Sequence, residues 1–140
     1  NKKYPWGNAS INKSPMLANF WQGDFPYKNT LEDKYYFSSP VGNFISNGYG
    51  LNDMAGNVWE WCSDYYEPSF YEKQKSKTLC INPTGPIRKI DNHYPLRVLR
   101  GGSFLCNDSY CSGYRVSRRT GNSEDTSSNH IGFRCVMDVK

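Results

Sequence analysis

Two cysteines, Cys106 and Cys111, lie five residues apart just after the Gly101-Gly102 pair, in the segment RGGSFLCNDSYC. An α-helix turns once in about 3.6 residues, so this separation does not suit one face of a helix. A loop that folds back can bring the two sulfurs together. The pair can then close a short disulfide, or bind one soft metal ion through two thiolates. The spacing therefore predicts either a stapled binding domain or a redox centre.

The cysteine count adds a second constraint. The chain has five cysteines, so at least one has no disulfide partner within these 140 residues. Either the partner lies in sequence outside this chain, or one thiol has a function of its own. Cys62 and Cys80 form either a local disulfide or two buried thiols.

The composition indicates one ordered domain over residues 1–140. Only 37% of the residues are hydrophobic, but 16% are aromatic, with eleven Tyr, seven Phe and four Trp. This aromatic content argues against disorder. It favours a core of aromatic side chains within a loop-rich α+β fold of low regular secondary structure.

Charge and hydropathy exclude some classes of protein. The net charge of +4 is mild and the basic residues are scattered, so we expect no nucleic acid partner. No apolar run reaches the length of a membrane span. The chain starts at Asn1 without a signal-peptide pattern, which is typical of a processed or excised sequence. Its localisation stays unknown.

Turn residues separate a few short elements. We predict strands at residues 58–62, 97–100, 114–119 and 131–139. We predict a short helix or an irregular excursion at residues 65–77, a turn at 40–45 or a short strand there, a turn at 82–86 and a loop at 120–129.

Three motifs identify the chain with a known family. They are NGYGLNDMAGNVWEW at residues 47–61, RVLRGGSF at 97–104 and IGFRC at 131–135. Together they resemble the formylglycine-generating enzyme family, also called sulfatase-modifying factors. YPWGN at residues 4–8 and ANFWQG at 18–23 fit the same family in the same order. The resemblance thus covers nearly the whole chain.

The resemblance implies a divergent C-type-lectin-like fold with bound calcium. Family members are usually longer, and this chain resembles their C-terminal part. The N-terminal half would be a partner that supplies part of the substrate groove. By resemblance, Cys135 pairs with a cysteine in that half, which would account for the odd cysteine count.

The implied reaction is oxidation of a cysteine to Cα-formylglycine. The substrate would be an unfolded sulfatase polypeptide with a Cys-x-Pro-x-Arg segment, the oxidant O2 and the cofactor copper(I). Copper(I) is soft, so two thiolates suit it and leave room for a third sulfur. The resemblance assigns Cys106 and Cys111 as its ligands. It implies that Cys111 is the more exposed and forms a mixed disulfide with substrate.

Further site residues follow from the same resemblance. Ser103 corresponds to an active-site serine, Trp59 and Tyr110 to aromatics of the pocket, and Arg115 to an arginine near it. Candidates for lining the substrate groove are Asn129 and His130. Three other polar side chains are expected to be solvated or, for the arginines, paired with carboxylates: His93, Arg118 and Arg119. Asn107 and Asp108 depart from the more basic pair of vertebrate members, which alters the local electrostatics.

Two structural calcium sites are implied. The first uses the side chains of Asn19 and Asp33 with the carbonyls of Phe20 and Tyr35. The second uses the side chains of Asp53 and Glu60 with the carbonyls of Gly56 and Val58. Such mixed oxygen ligation is what Ca²⁺ prefers. Asp53 and Glu60 can also be ordinary turn and strand-end carboxylates, but a Glu between two tryptophans needs a partner.

Two other functions stay open. A lectin-like ligand-binding or scaffolding module of this family would keep the two cysteines as a disulfide. An iron-dependent sulfoxide synthase would need a histidine-rich site, for which two histidines are a poor basis.

Overall fold

The computed structural model describes residues 2–11, 15–74, 84–86 and 95–138. Its regular elements are short. Strand β1 is Trp59–Tyr65, helix α1 is Phe70–Gln74, β2 is Leu96–Arg100, β3 is Thr120–Ser123 and β4 is Ile131–Gly132. Most of the described chain is therefore loop and turn, as the composition predicts. No helix among the described residues is long and apolar enough to cross a membrane.

The strands form one mixed sheet in the order β3-β2-β1-β4. β1 pairs antiparallel with β2, with Trp61 opposite Leu99, and a bulge interrupts the register before Tyr65. β4 runs parallel to β1 and places Ile131 beside Trp59. This pairing brings the RGGSF, WEW and IGFRC motifs to the same part of the molecule.

The predicted strands at 58–62 and 97–100 are confirmed, and the helix falls inside the range 65–77. Residues 40–45 form a turn rather than a strand. The residues beyond Gln74 in the helical range and most of the turn at 82–86 lie outside the described parts of the chain. Cys80 and His93 lie outside them as well, so neither their disulfide nor their exposure is described.

The predicted strand at 114–119 is wrong. These residues form consecutive turns, in which Arg115 N donates to the Ser112 carbonyl and Arg118 N donates to that of Arg115. Bonds of this local kind use backbone groups that a strand would need for pairing. The apolar alternation here reflects two turns that bury Tyr114 while Val116 stays exposed.

The loop predicted at 120–129 begins with a strand. The polar residues of β3 pair antiparallel with β2, from Thr120 opposite Leu99 to Ser123 opposite Leu96. Gly121 lies against the ring of Tyr66, where an added Cβ would come within 2.3 Å of the ring. The pairing is set by the free edge of β2, a long-range feature that the polar composition conceals.

The strand predicted at 131–139 stops after Gly132. Residues 133–138 have no strand partner, and Phe133, Val136 and Met137 are exposed by 75%, 95% and 90%. The apolar alternation of this segment is therefore real, but no described element covers it.

Aromatic side chains form the core, as the composition predicts. Tyr114, Phe20 and Val98 are among the most completely buried side chains. Tyr4 and Phe20 each pack against Tyr114, with ring centroids 5.9 and 5.6 Å apart. Around these rings the loops are tied by buried polar groups rather than by long strands.

Candidate active site

The two cysteines lie at the ends of a tight turn and are joined in a disulfide. Their Cα atoms are 5.3 Å apart. Asn107 shapes the turn from inside. Its backbone carbonyl accepts from the amides of Cys111 and Ser112, and its side-chain oxygen accepts from the amide of Ser109. An Asn side chain commonly closes turns in this way.

The two sulfurs differ in access. Cys106 is buried, with 2% exposure, whereas Cys111 is half-buried. The amide of Gly113 lies 3.3 Å from the Cys111 sulfur and can donate to it. Cys111 is therefore the sulfur that an incoming group reaches first, in the order that the resemblance implies.

The disulfide forms part of the wall of a cleft of about 730 Å³, here called the cysteine cleft. Six candidate residues from the sequence line it together: Cys106, Cys111, Ser103, Trp59, Tyr110 and His130. Phe25 lines it too and stacks on Tyr110, with ring centroids 4.8 Å apart. No sequence signal singled out Phe25, which precedes Pro26 in an ordinary turn. Aromatic and aliphatic walls of this kind limit water in the cleft.

Ser103 and His130 form a polar pair in the cysteine cleft. The Ser103 hydroxyl lies 3.2 Å from His130 Nδ1, and it also accepts from the amide of Leu105. Burial lowers the pKa of His130 below its ordinary value of 6.5, so the neutral ring is favoured. A neutral imidazole can accept the serine proton, whereas the charged ring can only donate.

Close backbone approaches bring these groups together. Gly102 has a φ of 74° and its Cα lies against Gly113. Gly113 in turn lies under the Trp59 ring, where a Cβ would be 2.6 Å from a ring carbon. The amide of Trp59 donates to the carbonyl of His130 at 2.8 Å. The glycines thus let the cysteine turn, β1 and the start of β4 meet.

Other candidates lie elsewhere. Arg115 lines a neighbouring cleft of about 850 Å³, here called the basic cleft, and not the cysteine cleft. Asn129 lines neither. Arg118, which we expected to be merely solvated or paired, lines both clefts. Its exposed place in a turn gave no signal in the sequence.

The expectation for Arg119 is wrong. Its guanidinium lies over the rings of Tyr66 and Tyr71, 5.0 and 4.4 Å from their centroids, and donates to the carbonyl of Glu67. Arginine stacks on aromatic faces because its charge is spread over a weakly hydrated plane. Arg119 is therefore a packing residue beside α1.

The donor set of the first predicted calcium site is buried. Asp33 is 4% exposed, and its carboxylate accepts from the amides of Phe20 and Tyr35 and from the side chain of Gln22. Asn19 is 1% exposed, and its side-chain oxygen has no hydrogen-bond partner. No basic side chain of the described residues pairs with Asp33. An unpartnered buried oxygen beside a buried carboxylate fits a hard cation.

The donor set of the second predicted site is arranged differently. The carboxylate of Glu60 binds Arg134 through two bonds, of 2.6 and 2.5 Å, and Arg134 also donates to the carbonyl of Asp53. The partner that Glu60 needs is thus Arg134, so this need does not itself argue for an ion. Gly56 has a φ of 75°, which the turn toward Val58 requires. These residues fit a calcium ion less well than the first set.

The described residues contain no group of three or more His, Cys, Asp or Glu side chains that could hold a metal ion. The cysteine pair is a two-sulfur donor set beside an open cleft. Two adjacent sulfurs with free space beyond Cys111 fit a soft ion that accepts a third ligand from the cleft.

Fold and site together define a loop-rich domain built around a cysteine-pair cleft. The family model for the sulfatase-modifying factor enzyme 1-like domain matches residues 1–139. The chain belongs to this family.

Known proteins of the family resemble the chain closely. It is 44% identical over 138 residues to a formylglycine-generating enzyme of Streptomyces coelicolor, which covers 99% of this chain and 41% of that relative. It is 36% identical over 139 residues to the mouse protein named inactive C-alpha-formylglycine-generating enzyme 2, over 97% of this chain and 37% of that relative. The chain thus spans less than half the length of these relatives.

A solved structure shows the same fold. Treponema denticola variable protein 1 matches 95% of this chain and 40% of its own with a TM-score of 0.69, at 23% sequence identity. The predicted fold, with little regular structure and the architecture of this family, is therefore confirmed.

Proposed function

We propose that the protein containing these 140 residues activates sulfatases, by oxidising a cysteine in a Cys-x-Pro-x-Arg segment of the unfolded polypeptide to Cα-formylglycine with O2. The observation that carries this proposal is the cysteine cleft, in which a buried and an accessible sulfur lie with the Ser103–His130 pair. The names of the 44% identical relative and of the family support it.

We propose copper(I) as the cofactor, held by Cys106 and Cys111 in their reduced state. When bound, it supplies a soft centre that deprotonates a substrate thiol and reacts with dioxygen. Cys106, from its buried side, holds the site in place. Cys111, from its accessible side, admits the substrate sulfur.

The other residues of the cleft orient the substrate and limit water. Trp59 and the stacked pair of Tyr110 and Phe25 form apolar walls beside the sulfurs. Ser103, held by His130, presents a hydroxyl that can hydrogen-bond a sulfur or an oxygen. Neutral His130 can accept a proton through that hydroxyl.

The test uses the longest form of the protein, reduced and loaded with Cu(I), with a Cys-x-Pro-x-Arg peptide in air. Mass spectrometry and an aldehyde-reactive probe measure the product. We expect Cys111→Ser to lower aldehyde formation at least about 100-fold, since it removes a ligand and the accessible thiol. Cys62→Ser, outside the cysteine cleft, is the matched control. Full turnover by Cys111→Ser would rule out the proposed mechanism.

A second candidate function is a non-catalytic binding module, which the disulfide and the relative named inactive favour. A disulfide that closes so short a loop stabilises the fold by only about 2 kcal/mol, so the fold does not depend on it. Titration of the reduced protein with Cu(I) distinguishes the two. One tightly bound ion per chain, lost in Cys111→Ser, supports the oxidase; no tight binding supports the module.

A calcium ion at the first predicted site would link the loop at Asn19 to that at Asp33. We propose it on the strength of the unpartnered Asn19 oxygen beside the buried carboxylate. The second site, at Asp53 and Glu60, is a weaker proposal because Arg134 already neutralises Glu60.

A further inference from the structure

The basic cleft has a one-sided charge. Lys2, Arg100, Arg115 and Arg118 line it, and none of the described residues in its wall is Asp or Glu. Two of its cations are already engaged in part. Arg100 donates to the Val116 carbonyl and the Tyr71 hydroxyl.

Arg115 and Arg118 are different. Both are exposed, and within the described ranges neither guanidinium donates a hydrogen bond or joins an ion pair. Two unpaired guanidinium groups at the rim of one concave surface raise the local concentration of anionic groups. Guanidinium also matches a carboxylate with two parallel hydrogen bonds.

The cleft also has room and apolar contact area for peptide residues. Its volume is about 850 Å³, and Tyr4, Trp6 and Tyr49 supply aromatic surface. Tyr49 is 91% exposed, so its ring is available for contact. Aromatic side chains bordered by arginine are typical of surfaces that bind peptides.

Arg118 lines both the basic cleft and the cysteine cleft. The two clefts are therefore neighbours that meet at this side chain. An extended peptide with its reactive residue at Cys111 can continue past Arg118 into the basic cleft.

Charge on the other side of the cysteine turn has the opposite sign. A third cleft, of about 380 Å³, contains Asp24, Glu32 and Asp108 and no basic residue among the described ones. Asp108 is two residues from Cys106 in the chain. The surroundings of the cysteine pair thus change from acidic to basic across the molecule.

We infer that the basic cleft binds acidic residues of the substrate polypeptide on the N-terminal side of the target cysteine. The inference rests on the proposed function. The arginine of the Cys-x-Pro-x-Arg motif follows the cysteine, and the basic cleft repels it. The segment that enters the basic cleft is therefore the one that precedes the cysteine.

The test measures binding without the chemistry. Fluorescent peptides carry Ser in place of the motif Cys and differ only in the flank: acidic before the Ser, neutral, or acidic after the Arg. Fluorescence anisotropy with the longest form of the protein gives each Kd. We expect the peptide with the acidic N-terminal flank to bind roughly three- to tenfold more tightly than the neutral one at low salt. The preference falls toward onefold at high salt.

Two variants locate the effect. Arg118→Glu should abolish the preference for the acidic N-terminal flank. Lys28→Glu, an equal charge reversal at an exposed residue outside the basic cleft, should keep it. Equal Kd values for the three peptides, equal tightening by the acidic C-terminal flank, or a preference that survives Arg118→Glu would each overturn the inference. A basic cleft covered by the rest of a longer protein gives the first of these results.

The same peptides with Cys restored separate this inference from the proposed function. Aldehyde formation with no flank preference removes the inference alone. A flank preference without aldehyde formation removes the proposed reaction and leaves an acidic-peptide site.

Discussion

At the scale of single residues, the cysteine pair and its polar neighbours differ in how far sequence exposes them. Cys106, Cys111 and Ser103 follow one another within nine residues, and the family motif marks them. His130 lies 27 residues from Ser103. The sequence offered it only as a groove residue, because no local pattern reports a hydrogen bond across that separation.

His130 predicts a pH dependence of folding. Its folded-state pKa lies below 6.5, so the unfolded chain binds more protons in that range. The stability contributed by the neutral ring is present above the ordinary pKa and is lost as pH falls through the folded one. We expect the free energy of unfolding to fall with pH below 6.5, and less steeply in His130→Asn.

Urea denaturation at a series of pH values, with the disulfide intact, measures this difference. Equal slopes for the wild type and His130→Asn would show that the ring titrates alike in both states.

At the scale of elements, short strands depend on close turns to hold them together. Gly56 belongs to the NGYGLNDMAGNVWEW motif and lies against the backbone of Asn19, where a Cβ would come within 2.2 Å of the carbonyl oxygen. The amide of Gly56 also donates to the carbonyl of Gly101. This glycine thus joins three segments that are far apart in sequence.

Gly56→Ala should therefore destabilise the fold by at least about 2 kcal/mol, from backbone overlap and a positive φ. Gly48→Ala is the matched control in the same motif, because it has open space and no positive φ. We expect it to stay within about 0.5 kcal/mol of the wild type. Chemical denaturation measures both; equal losses would contradict the packing argument.

The elements also show where pattern reading fails. β3 is polar and was expected to be a loop, yet the edge of β2 pairs with it. The segment at 114–119 alternates like a strand, yet local turn bonds use its backbone groups. In both cases the partner available in space, rather than the residue types, decides the backbone conformation.

At the scale of the whole molecule, loops rather than regular elements carry most of the chain. Buried polar groups such as Asn19, Asp33 and Asn57 therefore take the place of strand ladders in tying loops together. Asn57, for example, bonds to both the amide and the carbonyl of Ser39. A bound ion at such a junction stabilises the fold as a whole.

We expect chelation of calcium to lower the melting temperature by about 5 °C, from the linkage of ion binding to folding. Asp33→Asn should remove the response to added calcium, since it removes the buried carboxylate. Glu32→Gln, its exposed neighbour, should keep the response. Differential scanning calorimetry with and without calcium measures all three proteins. A calcium response that persists in Asp33→Asn would place the ion elsewhere.

The sequence by itself determined the family, the aromatic core, the two main strands and the cysteine pair, because these depend on local motifs and composition. Only the tertiary structure decided which side chains share a cleft. It placed His130 on Ser103, paired Glu60 with Arg134, stacked Arg119 on two tyrosines and put Arg118 between two clefts. These contacts join residues far apart in the chain, and no local pattern records them. They form because buried polar groups and aromatic faces take partners from whichever segment packs against them.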